Sequence, residues 1–174
     1  MTYIEVLQFG LRKTSDVLAI TGKVLPVTSE NITISAKLED GTVVEGENNI
    51  PLEVRNRVNK IRKVYINPTN CVPIPEVLEV IKEADCIILG PGSLYTSVIP
   101  NLLVRNVSNA IKESNAMKVY ICNIMTQSGE TDNYAVGDHI EALQTHFGGD
   151  IIDFCICDSG KITPEFVKRY NIPI

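Results

Sequence analysis

The sequence contains no apolar run that approaches the ~18 residues a membrane-spanning helix needs. Its first residues, Met1 to Glu5, do not pair a basic region with an apolar one, so no signal peptide is indicated. It also has no basic block: 16 Lys and Arg stand against 21 Asp and Glu, for a net charge of −5. That balance argues against a protein that binds nucleic acid by neutralising its phosphate backbone with Lys and Arg. We therefore expect a cytoplasmic protein with no membrane span and no nucleic-acid partner.

Metal-binding and disulfide patterns are equally scarce. The chain has five cysteines but no C-x-x-C motif, and four of them lie in apolar runs: Cys86, Cys122, Cys155 and Cys157. We expect these to be buried, reduced thiols. The two histidines, His139 and His146, lie seven residues apart on one predicted helix. The residues around them do not form a metal-ligand pattern, so no metal site is predicted there. A lone histidine such as His139 is more often structural than a ligand.

What the chain does have is enough apolar material for one folded domain. It has 174 residues, 44% of them hydrophobic, and a mean hydropathy of +0.08, which excludes disorder as the general state. Apolar and polar residues alternate from Ile32 to Leu38, and Asp40-Gly41 separates that run from Thr42–Val44. This pattern predicts an antiparallel hairpin over about 31–47. A strand is predicted over 61–66. The charged stretch 48–60 is interpreted as irregular or weakly helical, and as a solvated connection.

From Pro75 onward, helical and strand patterns alternate. Three short apolar runs are typical of strands buried on both faces: Cys86–Leu89, Val119–Cys122 and Ile151–Cys157. Helices are predicted from Pro75, over 135–147, over 4–20 and from Thr163. Alternation on this scale indicates βαβ units, a parallel sheet and the α/β class.

Two loops leave the carboxyl ends of predicted parallel strands, where α/β proteins bind ligands. The first, Gly90 to Ser97, has two glycines and several hydroxyls, which suit an anion such as a phosphate; the alternative is an ordinary strand-to-helix turn. The second, Asn123 to Asn133, places Glu130 and Asp132 before a helix. They suit a hydrated Mg²⁺ or a ligand hydroxyl; the alternative is that Thr131 or Asp132 caps that helix.

The two loops together resemble the signatures of one protein family. The stretches Ala84–Val104 and Val119–Asp132 look like those of the bacterial gluconeogenesis factors, the YvcK-like proteins. These are relatives of the CofD-type 2-phospho-L-lactate transferase. The likeness extends to Val17–Pro26, through Asp40-Gly41 and on to Ile172, so it covers nearly the whole chain.

This resemblance implies a three-layer α/β/α Rossmann-like fold with a mostly parallel sheet and an inserted antiparallel hairpin, associated as a homodimer. It also implies binding of a UDP-sugar such as UDP-N-acetylglucosamine, a regulatory role in cell shape and in growth on gluconeogenic carbon sources, and no turnover. The alternative is a Mg²⁺-dependent phosphotransferase like the 2-phospho-L-lactate transferase. Catalytic residues are not assigned. The expected ligand-binding residues are Gly90, Gly92, Ser93, Tyr95, Thr96, Ser97, Asn123, Thr126, Glu130, Thr131 and Asp132.

The sequence departs from the family pattern at its start. Family members begin with a strand and a Gly-Gly-Gly-Thr-Gly loop, whereas Met1 here falls near the middle of the family domain. Ser128 and Asn133 stand where the family commonly has Pro and Gly. We therefore expect residues 1–174 to form a single, N-terminally truncated domain. Its uncovered sheet edge should favour self-association, and its affinity for the nucleotide sugar should be weak.

Overall fold

The computed structural model describes residues 22–160. The helices predicted over 4–20 and from Thr163 lie outside the described residues. Six strands are described: β1 Thr33–Leu38, β2 Val43–Glu45, β3 Ile61–Asn67, β4 Cys86–Leu89, β5 Met117–Ile121 and β6 Phe154–Ile156. The α-helices are α1 Asn49–Arg57, α2 Pro75–Glu83, α3 Ile99–Leu103, α4 Val107–Glu113 and α5 Val136–Phe147, and a π-helical turn Leu94–Val98 precedes α3.

The first three strands form an antiparallel sheet in the order β2-β1-β3. The predicted hairpin is confirmed, with Lys37 opposite Val43. Its turn is held by the Asp40 carboxylate, which accepts the Thr42 N–H at 2.8 Å, and by Gly41, whose φ of +90° suits glycine. The predicted strand over 61–66 is β3, and it pairs with β1. Short-range turn chemistry therefore specifies the hairpin, whereas the pairing of β1 with β3 is long-range in sequence.

Of the two interpretations of residues 48–60, the helical one is confirmed and the irregular one is wrong for most of the segment. Residues Asn49–Arg57 form helix α1, which buries Ile50 and Val54 while Arg55 and Arg57 remain exposed. Asn, Pro and a β-branched residue give this segment little intrinsic helix propensity. Burial of one apolar side against the antiparallel sheet stabilises it instead, which is a tertiary effect that local sequence does not display.

The last three strands form a parallel sheet in the order β4-β5-β6. Ile88 lies opposite Val119, and Val119 lies opposite Phe154. The α/β class, the parallel sheet and the helices from Pro75 and over 136–147 are confirmed. Helix α5 packs on one face of this sheet, where buried His139 meets the Tyr120 hydroxyl at 2.9 Å from Nδ1. His139 is thus a structural residue, as interpreted from its isolation.

The opposite face of the parallel sheet is exposed, which corrects part of the sequence interpretation. Ile88 is 57% exposed and Phe154 58%. The expected burial is correct for Cys122 and wrong for Cys86 and Cys157, which are exposed, while Cys155 is half-buried. Apolar runs predict burial on both faces of a strand, but residues 22–160 supply a helical layer to only one face.

One hydrophobic core joins the two sheets. It includes Val64 from β3, Ile99 from α3 and Leu143 from α5, all with 0% exposure. His146 adds a polar link, because its Nε2 accepts the Val64 N–H at 3.0 Å while Nδ1 donates to the Ala142 carbonyl at 2.7 Å. None of the helices in residues 22–160 is both long and apolar enough to cross a lipid bilayer.

Candidate functional site

The loop Gly90–Ser97 leaves the carboxyl end of β4 and runs into the π-helical turn. Gly90 has a φ of +80°, and a Cβ on it would lie 2.8 Å from the Ile121 carbonyl oxygen. Both facts require glycine, since another side chain would be strained and would press against the neighbouring strand. The loop is therefore built against the end of β5.

The side chain of Asn123, the second residue after β5, binds the backbone of the first loop. Its Oδ1 accepts the Gly92 N–H at 3.1 Å and its Nδ2 donates to the Gly92 carbonyl at 2.9 Å. Ser93 adds a second link, because its hydroxyl donates to Gln127 Oε1 at 2.5 Å. The carboxyl ends of adjacent parallel strands thus bring the two signature loops into direct contact, which we call the loop joint.

Glu130 is the buried centre of the loop joint, with 4% exposure. Its carboxylate accepts the Tyr95 N–H at 3.2 Å, the Thr96 hydroxyl at 2.9 Å and the Gln127 amide at 3.0 Å. Burial raises the pKa of this carboxyl, while the bonds from Thr96 and Tyr95 oppose the rise. All three contacts are donors to the carboxylate, so Glu130 acts as an acceptor that fixes the start of the π-helical turn.

Thr131 and Asp132 close a turn of the second loop instead of capping helix α5. The Thr131 hydroxyl accepts the Gln127 N–H at 2.8 Å, and Asp132 Oδ2 accepts the Gly129 N–H at 2.6 Å. The alternative that either residue is the N-cap is wrong, because α5 begins at Val136. At that end of the helix, Asp138 Oδ2 accepts the Ala135 N–H at 2.6 Å.

Gly129 brings helix α1 against the second loop. Its φ is +83°, and a Cβ there would lie 2.2 Å from the Pro51 carbonyl oxygen. The first turn of α1 therefore touches the loop backbone directly, in the space that any side chain would occupy.

Two tyrosines back the loop joint. The Tyr95 and Tyr134 hydroxyls lie 2.8 Å apart, and their rings meet edge to face with centroids 6.4 Å apart. Burial raises the pKa of both phenols. Both are therefore neutral near pH 7, and they support the joint as hydrogen-bonding aromatic side chains.

Two open depressions border the joint. One, of about 330 Å³, lies between α1 and the second loop and is lined by Val54, Arg55, Val58, Asn59, Lys60, Ser128, Glu130, Asp132, Asn133 and Tyr134. The other, of about 360 Å³, lies beside the antiparallel sheet and is lined by Ile32, Thr33, Ile34, Gly46, Glu47, Thr96, Ser97, Pro100 and Asn101. Both combine polar groups with apolar walls, as small-molecule sites do.

Most of the predicted site residues come together in the loop joint: Gly90, Gly92, Ser93, Tyr95, Thr96, Asn123, Glu130, Thr131 and Asp132. Ser97 is exposed and lines the second depression, and Thr126 is exposed outside the joint. Gln127 and Tyr134 were missed. Gln127 belongs to the polar second loop, but only its hydrogen bond with the distant Ser93 shows that it joins the two loops. No sequence pattern around Tyr134 indicates its contact with Tyr95.

The joint leaves few groups for an anion or a cation. The N–H groups of Gly92 and Tyr95 are bound to Asn123 and Glu130, whereas those of Ser93 and Leu94 form no hydrogen bond with other described residues. Among residues 22–160, no cluster of three His, Cys, Asp or Glu side chains is arranged to hold a metal ion. The oxygens of Glu130 already accept protein donors, so this carboxylate does not fit the ligand set of Mg²⁺.

Comparison with known proteins gives consistent matches. The family model described as 2-phospho-L-lactate transferase CofD matches residues 3–172. The chain is 44% identical to the gluconeogenesis factor of Bacillus subtilis, over 94% of this chain and 50% of that protein. It is 45% identical to the gluconeogenesis factor of Halalkalibacterium halodurans, over 92% of this chain and 49% of that protein. A solved structure of a protein from Bacillus halodurans matches with a TM-score of 0.86 at 44% identity, covering 94% of this chain and 51% of that one.

The matched region is only part of each relative. For a further relative, from Clostridium acetobutylicum, the identity is 49% over 92% of this chain but only 36% of that protein. The chain therefore spans about half, or less, of the length of the curated relatives it matches.

Proposed function

The chain belongs to the CofD family, and we propose that within it the protein is a gluconeogenesis factor: a cytoplasmic regulatory protein that binds a UDP-sugar without turning it over. In this proposal the ligand is a nucleotide sugar such as UDP-N-acetylglucosamine, and the binding protein is a homo-oligomer that supports cell shape and growth on gluconeogenic carbon sources. The 174 residues supply part of one CofD-like domain.

One observation carries the proposal. The two signature loops meet at the carboxyl ends of β4 and β5, and the chain that contains them is 44% and 45% identical to two named gluconeogenesis factors. That position is where open α/β sheets hold nucleotides. The joint is held by four side chains, Asn123, Ser93, Gln127 and Glu130, so the loop backbone is already in place before a ligand arrives. A preorganised loop loses less entropy on binding.

The geometry also supports different roles for different residues: some would contact the phosphate, some the sugar, and others hold the two loops together. The N–H of the half-buried Ser93 forms no hydrogen bond with other described residues and suits a phosphate oxygen. Exposed Ser97 and the half-buried lining of the second depression suit sugar hydroxyls. Glu130, Thr131 and Asp132 hold the loops and are assigned no direct contact with ligand.

Binding without turnover is favoured by the state of the carboxylates. A phosphotransferase of the 2-phospho-L-lactate type is the second candidate, because the matching family model carries that description. In it, Mg²⁺ would offset charge on the transferred group. Residues 22–160 contain no group of three His, Cys, Asp or Glu side chains that could hold this ion, and Glu130 already accepts hydrogen bonds from Tyr95, Thr96 and Gln127. No step through Mg²⁺ is proposed.

The test is calorimetric titration of UDP-N-acetylglucosamine into a chimera, defined as the Bacillus subtilis gluconeogenesis factor with its matched half replaced by this chain. We expect saturable binding at micromolar ligand with and without Mg²⁺, and no change in the ligand by mass spectrometry. Asn123→Ala should weaken binding by at least about tenfold, the equivalent of one lost 1.4 kcal/mol interaction. The exposed Asn115→Ala is the matched control and should bind like the unmodified chimera.

Absence of saturable heat with the folded chimera would contradict the proposal. Binding that requires Mg²⁺, together with transfer of a group from the ligand, would favour the phosphotransferase. The cellular role has its own test: the chimera should restore rod shape and growth on a gluconeogenic carbon source to a Bacillus subtilis strain that lacks its own factor.

A further inference from the structure

Two cysteines follow neighbouring strands at the carboxyl end of the parallel sheet: Cys122 follows β5 and Cys157 follows β6. One residue earlier in each strand, Ile121 lies opposite Ile156. The ladder continues past that pair, because the Cys122 N–H donates to the Ile156 carbonyl at 2.9 Å. Cys122 and Cys157 are therefore the next cross-strand neighbours, with side chains on the same face of the sheet.

The spacing of the two strands permits a bond between these thiols. Adjacent strands lie about 4.7–4.9 Å apart, and cysteines that form a disulfide have Cα atoms about 4.4–6.8 Å apart. The Cβ atoms of a disulfide lie about 3.5–4.5 Å apart, so the two strand ends must approach each other slightly when the bond forms. Such a bond is strained and easily reduced, which is typical of regulatory disulfides.

The other cysteines near these strands are poorer partners. Cys155 lies two residues before Cys157, at about 6.6 Å along the same strand, which is beyond the Cβ separation of a disulfide. The residue opposite Cys155 on β5 is Tyr120 rather than Cys122. Cys86 begins β4, at the amino end of the sheet. The geometry therefore selects one pair of thiols.

The two thiols of this pair differ in their access to solvent. Cys157 is exposed, whereas Cys122 is buried. Burial raises the pKa of the Cys122 thiol, and the charge of nearby Cys157 adds to the rise. Cys122 is thus protonated near neutral pH and shielded from oxidants. An oxidant reaches the exposed Cys157 first, and Cys122 lies beside it as the resolving thiol.

We propose that Cys122 and Cys157 form a reversible disulfide when the protein meets a peroxide, and that this bond alters the loop joint. The Cys157 sulfur attacks one oxygen of hydrogen peroxide and the O–O bond breaks, which gives a sulfenic acid and, with the thiol proton, one water. The Cys122 sulfur then attacks the sulfenic sulfur, and the oxygen leaves as a second water with the Cys122 proton. The two thiols together lose two electrons, which reduce the peroxide.

The effect on the loop joint passes through Asn123, which directly follows Cys122. Asn123 accepts the Gly92 N–H at 3.1 Å and donates to the Gly92 carbonyl at 2.9 Å. In the sheet β5 lies between β4 and β6, so a movement of Cys122 toward β6 carries Asn123 away from the loop that follows β4. Oxidation therefore weakens the two hydrogen bonds to Gly92 and loosens the first loop.

Treatment of the reduced 174-residue chain with hydrogen peroxide tests the disulfide. Mass spectrometry of proteolytic peptides should find Cys122 joined to Cys157 within one chain, and dithiothreitol should release the link. Cys157→Ser should abolish the link, and Cys122→Ser should leave on Cys157 a sulfenic acid that dimedone traps. The control is Cys86→Ser, which removes another exposed thiol and should not change the link.

Three results would overturn the disulfide: a link between two chains through Cys157, a link through Cys155, or two thiols that stay reduced in peroxide. Because Cys157 is exposed, Cys157→Ser should fold like the parent chain and keeps the test decisive even if Cys122→Ser does not fold.

Amide hydrogen exchange at Gly92 tests the coupling to the loop joint. Exchange of this N–H should be at least about threefold faster in the oxidised chain than in the reduced chain, because its acceptor on Asn123 has moved. In Cys157→Ser, peroxide should leave the exchange rate unchanged. Equal exchange in the oxidised and reduced parent chain would overturn the coupling. None of these readouts depends on UDP-sugar binding.

Discussion

At the scale of single residues, the geometry of the candidate site depends on buried acceptors. Glu130 receives three donors from two segments that are distant in sequence, and Asn123 both donates to and accepts from one peptide unit. Removing such a partner leaves buried donors without an acceptor, which costs more than the bond contributes.

For Glu130→Ala we expect a loss of about 2–3 kcal/mol in the free energy of unfolding, because Tyr95, Thr96 and Gln127 lose their common acceptor. Urea denaturation measures it. The exposed Glu113→Ala is the control and should stay within about 0.5 kcal/mol of the parent chain. Equal stability of the two variants would show that the carboxylate does not hold the loops.

The histidines predict a loss of stability in mild acid. Burial lowers the pKa of His139 and of His146, and His146 accepts the Val64 N–H only while its Nε2 is unprotonated. Below the unfolded value of about 6.5 the unfolded chain binds the protons that the folded chain resists, so stability falls as pH falls. The stability that the two neutral histidines contribute is fully present at pH values above that unfolded pKa.

His146→Gln should reduce this pH dependence by up to about 1.4 kcal/mol per pH unit, one proton's share. Urea unfolding at several pH values between about 5 and 8 measures the slope. A slope unchanged by the substitution would place the titration elsewhere.

At the scale of elements, the sequence predicted the hairpin directly, whereas it left the segment of helix α1 open between irregular and weakly helical structure. Asp40-Gly41 encodes a turn through neighbouring atoms, so the signal is local. Helix α1 is stabilised by burial of Ile50 and Val54, and the loop joint by partners such as Ser93 and Gln127 that lie far apart in sequence. The sequence predicted that the two loops would lie at the same edge of the sheet, because parallel strands point their ends the same way. It could not show that the loops touch or which atoms would bond.

The contact of α1 with the second loop gives a matched pair of glycine substitutions. Gly129→Ala should destabilise the protein by about 2 kcal/mol or more, because φ is +83° and the methyl group would meet the Pro51 backbone. Gly137→Ala, in helix α5 with open space around it, should stabilise by about 0.5–1 kcal/mol. Thermal denaturation of both variants measures the contrast. If Gly129→Ala left the melting temperature unchanged, helix α1 would not contact the loop backbone at this position.

At the scale of the whole molecule, we expect the two loops to supply only part of the proposed ligand site. The N–H of Ser93 forms no hydrogen bond with other described residues, and each charge-assisted bond that the proposed site lacks costs about 1.5–3 kcal/mol of affinity. The isolated 174-residue chain should therefore give no saturable heat with micromolar UDP-N-acetylglucosamine. Light scattering should show a dimer or larger species, because one face of the parallel sheet exposes apolar side chains such as Ile88 and Phe154. A monomer that binds the nucleotide sugar at micromolar concentration would contradict both expectations.

The separation of the two hydrogen-bonded sheets has a consequence for how the chain acquires its fold. In the β1–β2 hairpin the partners are near in sequence, as Lys37 and Val43 are, whereas Lys37 must find Lys63 on β3, and Cys86 must find Met117 on β5, across intervening helical segments. Closing the longer loop costs more chain entropy and slows the search. The β1–β2 hairpin should thus gain amide protection first in pulse-labelled refolding. Strand β3 and the parallel sheet, with the loop joint at its carboxyl ends, should be protected later.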